Sequence, residues 1–117
     1  MKKINDALII KEKWLNLIFE GVKTWEIRGS NTIKRGKIYL IQSGSKQIFG
    51  ECELHSSREL DLHSFINNVD KHQIHNCIKL PYKKTFAWEL SNPVKYKKTI
   101  PYNHPKGAII WVKIGEK

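Results

Sequence analysis

The stretch Gly21-Val22-Lys23-Thr24-Trp25-Glu26-Ile27-Arg28 holds a change of hydrophobic period. Upstream of it, Trp14, Leu17, Ile18 and Gly21 recur at i, i+3, i+4 and i+7, the spacing of one helix face. Within it, Trp25 and Ile27 alternate with Thr24, Glu26 and Arg28, the spacing of a strand. Gly21 stands where a helix over Glu12–Glu20 would stop, since glycine enters the left-handed C′ conformation without a Cβ clash. The strand over Thr24–Arg28 then presents a hydroxyl, a carboxylate and a guanidinium on one face. On spacing alone that face is exposed, so Glu26→Gln and Arg28→Ala are expected to fold normally.

Working outward, Ala7–Ile10 is a short apolar run that suits a buried strand. Lys37–Gln42 and Gln47–Leu54 read as strands joined by a Ser43-Gly44-Ser45-Lys46 hairpin turn. Leu60–Asn68 carries Leu62, Phe65, Ile66 and Val69 and reads as a second short helix, and Lys71–Lys84 as a long polar loop. Thr85–Leu90 is an aromatic-rich strand stopped at Asn92-Pro93. Val94–Ile100 and Ala108–Ile114 follow as further strands. This order argues for an α+β domain built on a mixed sheet or small barrel with helices at its ends.

A chain of 117 residues, 40% of them hydrophobic, is expected to form one domain over residues 1–117. The charge is lopsided: 21 Lys+Arg against 11 Asp+Glu give a formal +10. Residues 71–117 hold 10 Lys+Arg and 2 Asp+Glu, so most of the excess lies there. Lys79, Lys83, Lys84, Lys95, Lys97 and Lys98, interleaved with Tyr82, Phe86 and Tyr96, point to a face for a nucleic-acid backbone. The alternative is a solvated lysine surface that only confers solubility. The longest apolar run, Ala108–Val112, is far short of the ~20 residues of a membrane helix. Asn5 and Asp6 interrupt any signal-peptide pattern, so no membrane partner and a cytoplasmic location are expected. Cys52 and Cys77 read as free thiols, Cys52 as a small buried hydrophobe.

The segment Gly21–Arg28 resembles the G-x-K-T-x-E-x-R signature of ASCH domains, members of the PUA-like superfamily. Ile38–Gly44, Phe86-Ala87-Trp88-Glu89-Leu90 and the ending Pro105-x-Gly107-Ala108-Ile109-Ile110-Trp111 agree with it. The resemblance implies a small PUA-like β-barrel of about six strands with two short flanking helices and a cleft lined by the motif. It also implies RNA binding, and in some members activity on RNA or modified nucleosides. The similar N4-acetylcytidine amidohydrolases carry Lys-x-x-Thr where this chain has Lys23-x-x-Glu26. Lys23 matches that pattern and the nucleophilic threonine does not.

The expected ligand-binding set is Lys23, Thr24, Glu26 and Arg28, with Ser43 as a donor and Trp88 or Trp25 as stacking platforms. Arg28 offers a planar fork to phosphate or a carbonyl edge, and Glu26 an acceptor for a base amino group. A plain surface ion pair is the competing reading of Glu26 and Arg28. Trp14 and Trp111 are expected in the core. RNA or a nucleotide-like ligand is the expected partner. The alternative is a hydrolase of RNA or a modified nucleoside, ribonuclease or amidohydrolase in type, with Lys23 and Glu26 as acid/base groups. A protein-interaction module is a third. His72-x-x-His75-x-Cys77 lacks a fourth ligand at standard spacing and reads as loop, so no metal and no cofactor are expected. Neither a P-loop nor G-x-G-x-x-G is present.

Overall fold

The computed structural model describes residues 4–115. In chain order it contains β1 (Ile4–Ile10), α1 (Glu12–Phe19), β2 (Trp25–Arg28), β3 (Gly36–Gln42) and β4 (Gln47–Leu60). Then come α2 (Leu62–Ile66), α3 (Val69–His72), β5 (Thr85–Pro101) and β6 (Trp111–Gly115). The six strands form one sheet in the order β2-β5-β4-β3-β1-β6. β1 runs parallel to β3, and every other pairing is antiparallel.

β1 is apolar along Ala7–Ile10 because both of its faces are covered. Leu8 and Ile10 enter a cluster with Leu15 and Ile18 of α1, Leu40, Leu54, Trp88 and Leu90. Ala7 and Ile9 point the other way, toward Ile41, Ile48 and Val112. A third cluster joins Trp25 and Ile27 of β2 to Leu60, Phe65 and Ala87. Cys52 is buried in the first cluster, and burial beside Glu51 and Glu53 pushes its thiol up to about 12.

Three expectations change. The sheet is not a closed barrel: among the described residues no ladder joins the edge strands β2 and β6. β2 has only four residues, and across the seam that it forms with the end of β1 a side chain makes the link instead of a backbone ladder. The Arg28 Nη2 of β2 donates to the Ile9 carbonyl of β1 over 2.8 Å. Next, Thr85–Leu90 and Val94–Ile100 are one strand. Asn92 takes φ 51° and the β4–β5 register shifts between Glu51 and Glu53, so the chain bulges at Pro93 without leaving the sheet. β4 likewise runs on through the polar residues His55–Glu59 to Leu60, held by pairing with Thr85–Glu89. Finally, the second helix is shorter than Leu60–Asn68, only α2 falling within it, and a separate α3 begins at Val69 and runs into the expected Lys71–Lys84 loop. Asp61 caps α2 by accepting from the Ser64 amide, and α3 ends at Gln73 with φ 63°. No helix among the described residues is long and apolar enough to cross a membrane.

Candidate functional site

The seam between β1 and β2 opens into a cleft of about 340 Å³. One wall is Ile9, Lys11, Ser43 and Ile109, and the other is Lys23, Glu26, Ile27 and Arg28. Trp14, Ile74, Pro81 and Tyr82 complete it.

The end of α1 delivers Lys23. Gly21, at φ 78°, donates its amide to Ile18 O, and Val22 donates to Leu17 O, the pair of bonds of a Schellman motif. The Lys23 amide shares Leu17 O, so the turn carries the lysine directly off the helix end. The residue is 2% exposed. Nζ donates to the His72 carbonyl at 2.5 Å, lies 3.7 Å from Glu26 Oε1 and sits 4.6 Å above the Trp14 ring. Burial lowers its pKa to about 8, a fall that Glu26 opposes and Arg28 reinforces.

Glu26 is 4% exposed, because its face of β2 is the inner face of the curled sheet. Its Oε2 accepts from Arg28 Nε at 2.9 Å and pairs with Nη2 at 2.8 Å. With Nη2 also on Ile9 O, the guanidinium is locked at the seam, 5.6 Å from the Trp88 ring. Three side chains of the Lys23–Arg28 segment thus form a buried to half-buried cation–anion–cation chain on the cleft wall. Oε1 faces the Lys23 ammonium, and Glu26 as a whole lines the cleft.

His72 supports this arrangement from behind. It is fully buried and stacks on Phe65 with centroids 4.2 Å apart. Its Nδ1 accepts from the Ile74 amide and its Nε2 donates to the Phe65 carbonyl, which fixes a neutral tautomer. Both ring nitrogens are therefore engaged within the fold, and burial lowers the imidazole pKa. Among the described residues no three His, Cys, Asp or Glu side chains group as metal ligands.

Of the residues singled out from sequence, Lys23, Glu26, Arg28 and Ser43 share the cleft. Thr24 lies behind Lys23, in a separate hollow of about 210 Å³ with Cys52, Leu90 and Pro93; its backbone ties β2 to Lys71 and Leu90. Trp88 is 1% exposed, donates Nε1–H to Ser30 O and stacks on Trp111, with no face turned to the cleft. Trp25 is buried under Arg58 and Lys71. Lys79, Lys83 and Lys84 are exposed on the segment that supplies Pro81 and Tyr82 to the rim. Lys95, Lys97 and Lys98 are exposed along the far half of β5.

Trp14, Lys11 and Tyr82 were not anticipated at the cleft. The signal for Trp14 was available: Leu15, Ile18 and Phe19 also stand at i, i+3 and i+4, and α1 buries Leu15 and Ile18. With that rotation Trp14 is half-buried: like Trp111 it packs against the first cluster, as expected, and its outer part also lines the cleft.

The ASCH domain model matches residues 8–100. No curated relative matches the sequence. Solved structures of the ASCH protein from Zymomonas mobilis share the fold. A serine-to-alanine variant has a TM-score of 0.65 at 15% identity, covering 83% of this chain and 73% of that one. A tyrosine-to-phenylalanine variant gives 0.62 at 14%, with 83% and 75% covered, and a third structure gives 0.61 at 16%, with 83% and 73% covered. With the motif on the cleft wall and the family model spanning most of its length, this chain belongs to the ASCH domain family, a PUA-like fold generally linked to RNA binding.

Proposed function

We propose that this chain binds RNA or a nucleotide-like ligand in the cleft built on Lys23, Glu26 and Arg28. The observation that carries the reading is the buried charge chain on the cleft wall. Burying three ionised groups is costly and needs their mutual pairing, which makes them a rigid and preorganised recognition surface. The Glu26 carboxylate is an acceptor for an exocyclic amino group. Lys11 and Arg28 favour an anion or a carbonyl edge, and Tyr82 offers a ring at the margin, while the Trp14 ring is engaged by the Lys13 and Lys23 ammonium groups. Ser43 adds a hydroxyl from the β3–β4 turn. In this reading Thr24 supports Lys23 and Trp88 supports Arg28, and neither touches ligand. Lys79, Lys83 and Lys84 on one side and Lys95, Lys97 and Lys98 on the other meet the phosphate backbone.

Calorimetric titration of cytidine, its phosphates and short RNAs tests the reading. Arg28→Ala is expected to weaken binding most, because a bidentate contact is the hardest to replace. Unchanged binding in both Arg28→Ala and Glu26→Gln would sink the site assignment.

The lysine with a pKa near 8 favours a second reading, hydrolysis, since neutral Lys23 is an available base near pH 8. Product formation from RNA or an N4-acylated nucleoside, lost in Lys23→Met while ligand still binds, would establish it. Absence of turnover by the wild type rejects it.

A further inference from the structure

Beside the cleft lies a second cavity of about 350 Å³, and the two share Ile9, Ser43 and Ile109 as common walls. Its own lining is Gly44 and Lys46 of the β3–β4 turn, with Tyr102, His104 and Ala108 from the segment between β5 and β6. The Tyr102 hydroxyl is 2.7 Å from His104 Nδ1, and His104 Nε2 is 2.9 Å from the Ala108 carbonyl. A carbonyl only accepts, so Nε2 carries the proton and Nδ1 accepts from the hydroxyl. The Tyr102 amide is also tied to Lys46 O at 3.3 Å. The two rings are held rigid, tilted by 57° with centroids 5.7 Å apart.

We infer that this cavity is a second nucleotide subsite, so that the groove takes two adjacent nucleotides of a single strand and not an isolated nucleoside. The inference rests on the cleft reading above and extends it. Because the histidine nitrogens are spent on Tyr102 and Ala108, the cavity presents aromatic surface more than hydrogen-bonding edges. Recognition there is by stacking and tolerates any base. Ser43, common to both cavities, stands where the linking phosphodiester would cross, with Lys11 on one side and Lys46 on the other. The cleft holding the Lys23–Glu26–Arg28 chain reads the base, and the second cavity secures its neighbour.

The test compares cytidine 3′-monophosphate with the dinucleotides CpC and CpU. The second base should tighten binding roughly five- to 150-fold, equally for CpC and CpU. Tyr102→Ala should abolish that gain and leave cytidine 3′-monophosphate binding as it was, while Tyr102→Phe keeps most of it. Ile109, 78% exposed, offers a variant with little risk to folding: Ile109→Glu, read as the ratio of dinucleotide to monophosphate affinity, should bring the ratio to about one. A wild-type ratio near one, with monophosphate binding still sensitive to Glu26→Gln, overturns the second subsite and leaves the cleft reading standing. A gain sensitive to Tyr102→Ala with no effect of Glu26→Gln on any ligand overturns the cleft reading alone. Failure to bind any of the three overturns both.

Discussion

At Lys23 an ammonium group lies among a carbonyl, a carboxylate and an indole ring, and burial outweighs the attraction of the Glu26 carboxylate in setting its pKa near 8. An unfolded lysine titrates near 10.5, so between about 8 and 10.5 the unfolded chain binds more protons than the folded one. The lysine's contribution to stability therefore rises with pH across that window: the penalty of the buried charge is full below 8 and is relieved above it, while the buried Cys52 thiol contributes the opposite slope above about 9. Urea denaturation at pH 7.5 and pH 9.5 should show this rise, and in Lys23→Met it should be smaller by the lysine's share. Glu26 is the converse case. Glu26→Gln leaves two cations without their shared anion, and the cost should be roughly 3 kcal/mol, the low end for a broken buried pair because Arg28 keeps some solvent contact. The double variant Lys23→Met, Glu26→Gln should recover part of it. A single variant as stable as the wild type would show that the carboxylate is not holding the cations. The expectation from spacing, that such a change is silent, is revised here because the polar face of β2 is buried.

At the scale of elements, the β4–β5 pairing decides how far the sheet curls. Gly50 sits at its tightest point: a Cβ there would overlap the Val94 carbonyl and come within 2.7 Å of the Phe19 ring of α1. The carbonyl belongs to the paired strand and cannot swing aside as a side-chain tip would. Gly50→Ala should cost roughly 3 kcal/mol, the upper end for overpacking, with a matching loss in the denaturation midpoint. A midpoint within error of the wild type would mean that β5 can shift without cost. The same pairing explains the length of β4. His55–Glu59 has no period-2 apolar pattern, and only the ladder to Thr85–Glu89 makes it strand.

For the whole molecule, the formal +10 includes six exposed lysines on the two segments that the proposed strand would cross. Lys79, Lys83 and Lys84 lie beside the Pro81-Tyr82 rim, and Lys98 precedes Tyr102 by only four residues, ~13 Å of extended chain. If all six lysines meet phosphates, a single strand crossing both cavities should bind with a log–log salt slope of roughly 4, from ~0.7 per contact. Replacing Lys83 and Lys84 by alanine, or Lys97 and Lys98, should each lower that slope by about 1.4. A flat salt dependence would leave the lysines as a solvated surface. Much of this was legible in the sequence. The stop at Gly21, the alternation of Trp25 and Ile27, the double-faced run Ala7–Ile10 and the Ser43–Lys46 turn follow from local periodicity and backbone sterics, which act over a few residues. The lysine excess follows from counting. Tertiary structure alone decided that the sheet stays open, that Glu26 is buried, and that Tyr102 and His104 stand next to Ser43. Those outcomes depend on strand curl and on partners distant in sequence: Arg28 reaches Ile9 O, and Lys23 reaches His72 O. Local pattern tells which face of a strand is polar, but only the packing of the whole sheet tells whether that face meets water or the inside of a cleft.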